Sequence, residues 1–313
     1  MTMGPHFSVI IPLYNKAPYV HRAVESVVEQ IYKDWELIVV DDGSTDGGAD
    51  IVKKFFDKRI QLVSQHNSGV STARNRGVTE STSPFICFLD ADDWWEPTFL
   101  EEMAGLIGRH PDAGIYGTGY YIVKKGKKRV APIGVAKEFT EGEINYCRVY
   151  AKTFCMPLCI GSVCIPRKMF DTTGGFNPQL RMAEDFDLWI RIALNNPVVL
   201  LNKPLFHYNQ DVDTHTRAIG SLQPPEVHFA FNTDYLKPFM EKNMEVKHIV
   251  EQVQIVCLKQ YYLSQEYHNR AKAELEKLDL GAHRGKDYSD YCQHPRWVTR
   301  FKKHAHNLIR RLL

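Results

Sequence analysis

Long apolar stretches are missing from this sequence. No segment approaches the roughly 20 consecutive apolar residues that a membrane-spanning helix requires. The apolar run at residues 7–13 is short and contains Pro12, and it has neither a basic leader nor a small-residue cleavage site. It therefore lacks the pattern of a secretory signal peptide, and we predict a cytoplasmic protein.

The signature motifs of several enzyme classes are absent as well. No G-x-G-x-x-G follows the first apolar run, which argues against a dinucleotide-binding dehydrogenase. The P-loop motif G-x-x-x-x-G-K-[ST], H-E-x-x-H and G-x-S-x-G do not occur either. The net charge is only +2, and no recognised nucleic-acid-binding module is present, so we predict no nucleic-acid partner.

The seven cysteines do not form a recognisable metal or disulfide pattern. Their number is odd, and none of them forms a C-x-x-C pair. Cys155, Cys159 and Cys164 are close in sequence, but no histidine accompanies them at the spacing of a zinc site. This usage favours reduced thiols packed as small apolar residues.

The first third of the chain alternates between strand-like and helix-like segments. Strands are predicted at residues 7–13, 35–40, 60–64 and 85–89, and helices at residues 18–30, 51–56, 71–78 and 97–109. The strands are almost continuously apolar, which is typical of strands buried on both faces. We therefore predict an α/β fold with a mostly parallel sheet between helices.

Acidic residues follow two of these predicted strands directly. Asp41 and Asp42 come after the second strand, and Asp90, Asp92 and Asp93 come after the fourth. In open α/β sheets, ligands bind beyond the carboxyl ends of the strands. We therefore expect both groups at one edge of the sheet, in a common site.

The cluster Asp90-Ala-Asp-Asp93 is the strongest candidate for a metal site. Three carboxylates within four residues repel one another unless a cation is present, and hard oxygen ligands suit Mg²⁺ or Mn²⁺. The alternative is a solvated acidic turn or a helix cap. The position after a buried strand favours the metal, and Asp93 could instead cap the following helix.

Two further motifs could face a nucleotide. Asp41 and Asp42 could accept hydrogen bonds from a nucleobase or a ribose, although the surrounding Gly and Ser residues also suit a simple turn. Gly69 permits close backbone approach, and Arg74 follows in a predicted helix that could face an anion. An ordinary amphipathic helix with surface arginines explains the second motif equally well.

A third motif carries two carboxylates at the start of a predicted helix, residues 184–194. Glu184 and Asp185 precede an apolar face that includes Trp189. Acidic residues in a first turn are ordinarily explained by the helix dipole. The functional alternative is a general base at the mouth of a cleft.

Taken together, these motifs closely resemble the family 2 glycosyltransferases of GT-A fold over about residues 6–210. The matching strings are SVIIPLYN at 8–15, VDDGSTD at 40–46, N-x-G at 67–69, ARN-x-G at 73–77, DADD at 90–93 and ED-x-DLW-x-R at 184–191. The resemblance implies a mixed, Rossmann-like sheet flanked by helices, and a C-terminal helical region. It implies a nucleotide-sugar-binding half at 1–113 and an acceptor-binding half at 114–223, which together form the catalytic domain.

The resemblance also implies roles for individual residues. Those of the nucleotide-sugar pocket are Pro12, Tyr14, Asn15, Asp41, Asp42, Gly69, Arg74, Asp90 and Ala91. Asp92 would bind the metal, and Asp185 would be the general base with Glu184 beside it. A strand-loop usually closes over the diphosphate after this helix, for which His207, His215 and Arg217 are the candidates.

The C-terminal region, residues 224–313, is predicted to be mainly helical. Residues 296–313 place apolar side chains on one helical face among basic residues. That pattern suits a helix lying on anionic lipid, which would make the protein peripheral on the inner face of a membrane. A basic helix docked on its own protein or on the second copy of a homodimer fits equally well.

The predicted activity is that of an inverting, metal-dependent hexosyltransferase. It would move a sugar from a UDP- or GDP-sugar to a hydroxyl of a carbohydrate or lipid-linked acceptor, in the synthesis of a cell-envelope polysaccharide or glycoconjugate. Two alternatives remain open. A sugar nucleotidyltransferase would carry a Gly-rich basic loop where this chain has Pro12 and Tyr14. A non-catalytic nucleotide-sugar-binding protein would have lost Asp92 or Asp185.

Overall fold

A computed structural model describes residue 4, residues 6–213 and residues 222–283 of the chain. The chain divides into two units, Met1–Gly220 and Ser221–Leu313. The first contains the sheet and the predicted site residues that the structure describes. The second is helical.

The first unit contains ten strands and seven helices within its described residues. The strands are β1 Phe7–Leu13, β2 Trp35–Asp41, β3 Ile60–Ser64, β4 Phe85–Phe88, β5 Trp94–Trp95, β6 Ile115–Lys124, β7 Lys127–Val130, β8 Glu141–Ile144, β9 Val163–Pro166 and β10 Val198–Asn209. The helices are α1 Ala17–Val28, α2 Gly48–Val52, α3 Val70–Glu80, α4 Phe99–Arg109, α5 Tyr146–Thr153, α6 Arg167–Thr173 and α7 Glu184–Ala193.

The ten strands form one mixed sheet, in which eight follow the order β3-β2-β1-β4-β9-β6-β10-β5, while β7 pairs with β6 and β8 with β10. The pairs of β1 with β2, β2 with β3 and β1 with β4 are parallel, whereas β9 runs antiparallel to both β4 and β6. The mixed α/β sheet that the resemblance implies is confirmed. The expectation of a mostly parallel sheet holds for β1 to β4, whereas most strand pairs beyond β4 are antiparallel. Because β1, β2 and β4 are parallel, their carboxyl ends lie at one edge, and the aspartates that follow β2 and β4 lie there too.

Buried apolar strands account for this arrangement. In β1, Phe7, Val9, Ile10, Ile11 and Leu13 are fully buried, as a strand covered on both faces must be. Helix α1 turns its apolar stripe inward, with the side chains Val20, Ala23, Val24 and Val27 all buried.

Most predicted elements are found with bounds shifted by one or two residues, and three differences have identifiable causes. The helix predicted at 51–56 is the five-residue α2, which begins earlier because Gly47 takes a positive φ of 83° at its N-cap. Strand β5 was not predicted, since two residues carry no periodic signal. Helix α4 begins at Phe99 rather than at Pro97, whose carbonyl accepts the N–H of Ile31.

The second unit has a core of its own. Its helices are α8 Lys237–Met240, α9 Met244–Leu263 and α10 His268–Leu275. Ala230, Ile255, Leu258, Tyr261, Ala271 and Leu275 form its buried cluster. The predicted helical character of this region is confirmed, whereas residues 296–313 lie outside the described residues. Among the described residues, no helix combines the length and apolar character needed to cross a membrane.

Helix α3 packs closely on β1 through Gly77. A Cβ at Gly77 would lie 2.3 Å from Cγ2 of Ile10, which is fully buried. Gly77→Ala should therefore lower the free energy of unfolding by about 1–3 kcal/mol, through overpacking. Urea unfolding followed by tryptophan fluorescence measures this.

Gly108→Ala in α4 is the matched control, since its added Cβ meets nothing within 4 Å. It should stabilise the protein by up to about 1 kcal/mol through helix propensity. Equal midpoints for the two variants would contradict the close packing of α3 on β1.

Candidate active site

The acidic cluster forms a tight turn directly after β4. The backbone N–H of Asp93 donates to the carbonyl of Asp90 at 3.0 Å, which folds the segment back. One carboxylate oxygen from each of Asp90, Asp92 and Asp93 lies within 4.8 Å of the others. Within the described part of the chain, this is the one such group of three or more acidic, histidine or cysteine side chains. Its donors are all oxygen, the set that Mg²⁺ and Mn²⁺ prefer.

Burial and crowding disfavour the ionised form of two of these carboxylates. Burial raises the pKa of Asp92; the ammonium of Lys16 opposes that rise, and the charge of Asp90 adds to it. Burial, together with the charges of Asp92 and Asp90, raises the pKa of Asp93 well above its usual range. A bound cation relieves such repulsion, so both the donor atoms and their charge fit a divalent metal.

Asp93 does not cap the following helix, and that prediction is wrong. Its Oδ1 accepts the backbone N–H of Asn209 at 2.7 Å, and the Asn209 side chain donates to the carbonyl of Asp92 at 3.1 Å. The N-cap of α4 is Thr98. The cause is the pairing of β5 with β10, which brings the end of β10 against Asp93.

Arg74 joins the acidic cluster to the start of α7. Its Nη2 donates to Asp90 Oδ1 at 2.7 Å, and its Nη1 donates to Glu184 Oε1 at 2.8 Å. The Arg74 side chain is only 3% exposed. Burial disfavours its charge, but Asp90 and Glu184 outweigh burial and raise the pKa of Arg74. Arg74 thereby places two motifs, distant in sequence, in one site.

Asp185 differs from the acidic residues on either side of it. Glu184 pairs with Arg74, and Asp187 pairs with Arg191 at 2.6 Å. Asp185 has no ion-pair partner among the described residues, and its Oδ1 accepts the N–H of Phe186 at 2.7 Å. Burial and the charge of Glu184, partly opposed by Arg74, raise its pKa to about 6. A carboxyl with such a pKa suits proton transfer near neutral pH.

The loop before α3 is held against the end of β2 by Asp42. Its Oδ1 accepts the backbone N–H of Ser68 at 2.8 Å and the amide of Gln65 at 2.7 Å, and its Oδ2 accepts the N–H of Gly69 at 2.9 Å. Gly69 takes a φ of +89°, a conformation that L side chains rarely adopt. The structure brings Asp42 and Gly69 together, as the motifs predict.

The remaining residues of the predicted nucleotide pocket lie around the ends of β1, β2 and β4. Asp41 pairs in register with Leu13, and its Oδ1 accepts the N–H of Ser44 at 2.9 Å. Asn15 has a positive φ of 51°, and its Oδ1 accepts the N–H of Thr45 at 2.9 Å. Three more residues complete the set: half-buried Pro12, exposed Tyr14 and buried Ala91.

His207 lies within β10, where its ring is buried. It stacks between Trp94, at 4.7 Å between centroids, and Tyr121, at 4.9 Å. Its Nε2 is 2.8 Å from Glu96 Oε1. Burial lowers the pKa of His207, with Glu96 opposing that effect. These contacts give the ring a packing role, and its role at the diphosphate stays a prediction. His215 and Arg217 lie outside the described residues.

Two residues of the site were not predicted. Lys16 donates to Asp92 Oδ2 at 2.6 Å, and Asn209 bonds to Asp93 and to the carbonyl of Asp92. Lys16 directly follows the matched string at 8–15, so its place at the end of β1 was a usable signal. Asn209 carried none, because only the pairing within the sheet brings it to the cluster.

Known proteins resemble this chain over the segment that contributes the acidic cluster and the predicted nucleotide-binding residues. A family model described as glycosyl transferase family 2 matches residues 8–162. The matched segment includes Asp42, Gly69, Arg74 and the acidic cluster. The chain belongs to glycosyl transferase family 2. Glu184 and Asp185 lie beyond the matched residues. The hydrogen bond from Arg74 to Glu184 connects the matched segment to α7, which carries both of them.

Relatives of this family 2 chain are glycosyltransferases by name. An uncharacterized glycosyltransferase of Rickettsia bellii is 30% identical over 71% of this chain and 33% of its own length. The putative teichuronic acid biosynthesis glycosyltransferase TuaG of Bacillus subtilis is 42% identical over 38% of this chain and 48% of its own. The chain thus spans about a third of the first relative and about half of the second.

Solved structures support the same fold. The crystal structure of S. aureus TarS 1-349 in complex with UDP-GlcNAc superposes with a TM-score of 0.62. It is 20% identical and covers 86% of this chain and 70% of its own. The likeness supports the fold of the family 2 chain, with its mixed sheet between helices.

The Arg74 bridge makes a stability prediction for this family 2 chain. In Arg74→Lys, one ammonium replaces a planar fork and cannot hold Asp90 and Glu184 together. The free energy of unfolding should fall by about 2–4 kcal/mol, since one of the two part-buried carboxylates loses its charged partner. Chemical denaturation measures the change.

Arg76→Lys is the matched control on the same helix. Arg76 pairs with Glu80 at 2.6 Å, but its side chain is 51% exposed. The change should alter the free energy of unfolding by less than about 0.5 kcal/mol. Equal effects of the two substitutions would argue against the bridge as a structural link.

Proposed function

We propose that the chain transfers a hexosyl group from a UDP- or GDP-sugar to an acceptor hydroxyl, with inversion at the anomeric carbon and with Mg²⁺ or Mn²⁺ held at Asp92. One observation carries the proposal. Arg74 joins Asp90, at the end of β4, to Glu184, which is adjacent to Asp185. Groups suited to bind a donor and a group suited to activate an acceptor therefore belong to one site.

The donor side of the site would bind the nucleotide and stabilise its departure. Asp41, Asp42 and Gly69 would lie against the nucleobase and ribose, and Asp90 would contact the ribose or the donor sugar. Asp92 would hold the divalent cation, because Asp90 is paired with the doubly bonded Arg74 and Asp93 accepts a backbone N–H, whereas the partner of Asp92 is a single lysine, Lys16. A cation there would supply Lewis-acid stabilisation of the nucleoside diphosphate.

On the acceptor side, Asp185 would accept the proton of the attacking hydroxyl. The acceptor oxygen forms a bond to the anomeric carbon from the face opposite the diphosphate. The bond from that carbon to the diphosphate oxygen breaks, and the electron pair leaves with the nucleoside diphosphate. This single displacement inverts the anomeric centre.

Support for the substrates comes from proteins similar to this chain. TuaG is named for teichuronic acid biosynthesis, and the TarS crystal contains UDP-GlcNAc. We infer a UDP-sugar as the first donor to test, and a cell-envelope polysaccharide or its lipid-linked precursor as the acceptor class. The family match favours a glycosyltransferase over a sugar nucleotidyltransferase. The raised pKa of Asp185 favours a catalyst over a binding protein.

Asp185→Asn tests the general-base role directly. The amide keeps the shape of the side chain but cannot accept the proton, so kcat should fall by about 10²–10⁴-fold. The dissociation constant of the donor nucleotide should stay unchanged. Steady-state kinetics and calorimetry measure the two quantities.

Asp112→Asn is the control, since Asp112 is exposed in the turn between α4 and β6. It should leave both kcat and donor binding unchanged. Equal losses of turnover and donor binding in Asp185→Asn would remove Asp185 from the chemical step and make it a binding residue.

The pH dependence of kcat/KM provides a second test. Because the pKa of Asp185 is about 6, the base is protonated below that pH and activity should fall as the pH drops through 6. Glu184→Gln removes the charge that helps to raise this pKa, so the acid limb should move to lower pH. An acid limb at the same pH in both proteins would contradict the assignment.

A further inference from the structure

One lysine contacts the acidic cluster at the carboxylate we assign to the metal. Lys16 Nζ lies 2.6 Å from Asp92 Oδ2, and the two side chains are 14% and 19% exposed. The ammonium opposes the effect of burial on the pKa of Asp92. Lys16 therefore supplies positive charge at the position where a cation would bind.

The backbone at Lys16 is fixed by the turn that leads into α1. Asn15 precedes it with a φ of 51°, and its side chain is bonded to the N–H of Thr45. Lys16 is the N-cap of α1, and its carbonyl accepts the N–H groups of Tyr19 and Val20 at 2.9 and 3.0 Å. The main chain thereby fixes the point from which the side chain reaches Asp92 Oδ2.

The other cations near the cluster are held more tightly. Arg74 donates from both Nη atoms to different carboxylates, so it cannot leave one without losing its place between the two. Arg22 lies flat on the Trp94 ring, with its guanidinium carbon 3.4 Å from the centroid. Lysine carries a point charge on a flexible four-carbon stem and can change partner at little cost. Of these three cations, Lys16 is the one able to move.

We infer that Lys16 is an exchangeable counter-ion: it neutralises Asp92 before the divalent cation binds, leaves Asp92 when the cation arrives, and then contacts the diphosphate of the donor. This rests on the proposed metal site at Asp92. The ammonium and a metal ion compete for the same carboxylate, and two positive charges cannot share it closely. The released ammonium would be next to the only strongly anionic part of the donor.

Competitive labelling of the full-length protein tests the exchange. Lysines are acylated briefly with an N-hydroxysuccinimide ester and quantified by mass spectrometry, without metal, with Mn²⁺, and with Mn²⁺ plus UDP or GDP. Labelling of Lys16 should rise at least about threefold with Mn²⁺, as its ion pair is released, and should fall again when the nucleotide is added. Calorimetry on the same samples reports whether Mn²⁺ binds.

Lys203 provides the internal control. It also donates to a carboxylate at 2.6 Å, that of Glu102, but its side chain is 50% exposed and it is not part of the acidic cluster. Its labelling should not depend on Mn²⁺. Unchanged labelling of Lys16 in samples that bind Mn²⁺ would overturn the exchange and leave the metal site intact. Wild-type protein that binds no Mn²⁺, with or without nucleotide, would overturn the metal site itself.

A variant gives a second measurement in the absence of nucleotide. Lys16→Met removes the ammonium that competes with Mn²⁺ for Asp92. The dissociation constant for Mn²⁺ should therefore fall by about fivefold, which corresponds to the free energy of one ion pair. Lys203→Met should leave it unchanged. Mn²⁺ binding to Lys16→Met that is equal to or weaker than wild type would contradict the exchange.

Discussion

The bridge from Asp90 through Arg74 to Glu184 is the interaction on which the whole site depends. It joins a carboxylate at the end of a sheet strand to one at the start of α7, and both of its hydrogen bonds are shorter than 3 Å. The guanidinium is buried, and the charges of the two carboxylates together outweigh the cost of that burial. The family match ends at residue 162. The hydrogen bond from Arg74 to Glu184 connects the matched segment to α7, which also carries Asp185.

Charge balance explains why the neighbouring carboxylates behave differently. Asp90 and Glu184 share a fixed arginine, Asp92 has a lysine, and Asp93 accepts a backbone N–H. Asp185 has no cation of its own among the described residues, and burial next to Glu184 raises its pKa to about 6. The same crowding that makes Asp92 and Asp93 costly to ionise makes the turn receptive to a divalent cation, and makes Asp185 suited to proton transfer.

Much of the fold and part of the site could be predicted from the sequence. Strand β1 is almost continuously apolar, and the aspartates at the ends of β2 and β4 lie at one edge because parallel strands end there together. The contacts of Asp93 with Asn209 and of Lys16 with Asp92 span 116 and 76 residues, and no local pattern encodes them. Because the contact with Asn209 is not visible in the local sequence, the residues around Asp93 indicate only a helix cap. Strand β5 is defined only by its pairing with β10.

In the proposed reaction, the metal and the donor diphosphate bind this site together. Thermal unfolding of the wild-type chain, scanned with Mn²⁺ or chelator and with UDP, GDP or no nucleotide, tests it most directly. One nucleotide combined with Mn²⁺ should raise the midpoint by more than the sum of their separate effects, because each ligand would lower the dissociation constant of the other and stabilisation grows as the dissociation constant falls. Shifts that are merely additive, or that persist in chelator, would contradict the account.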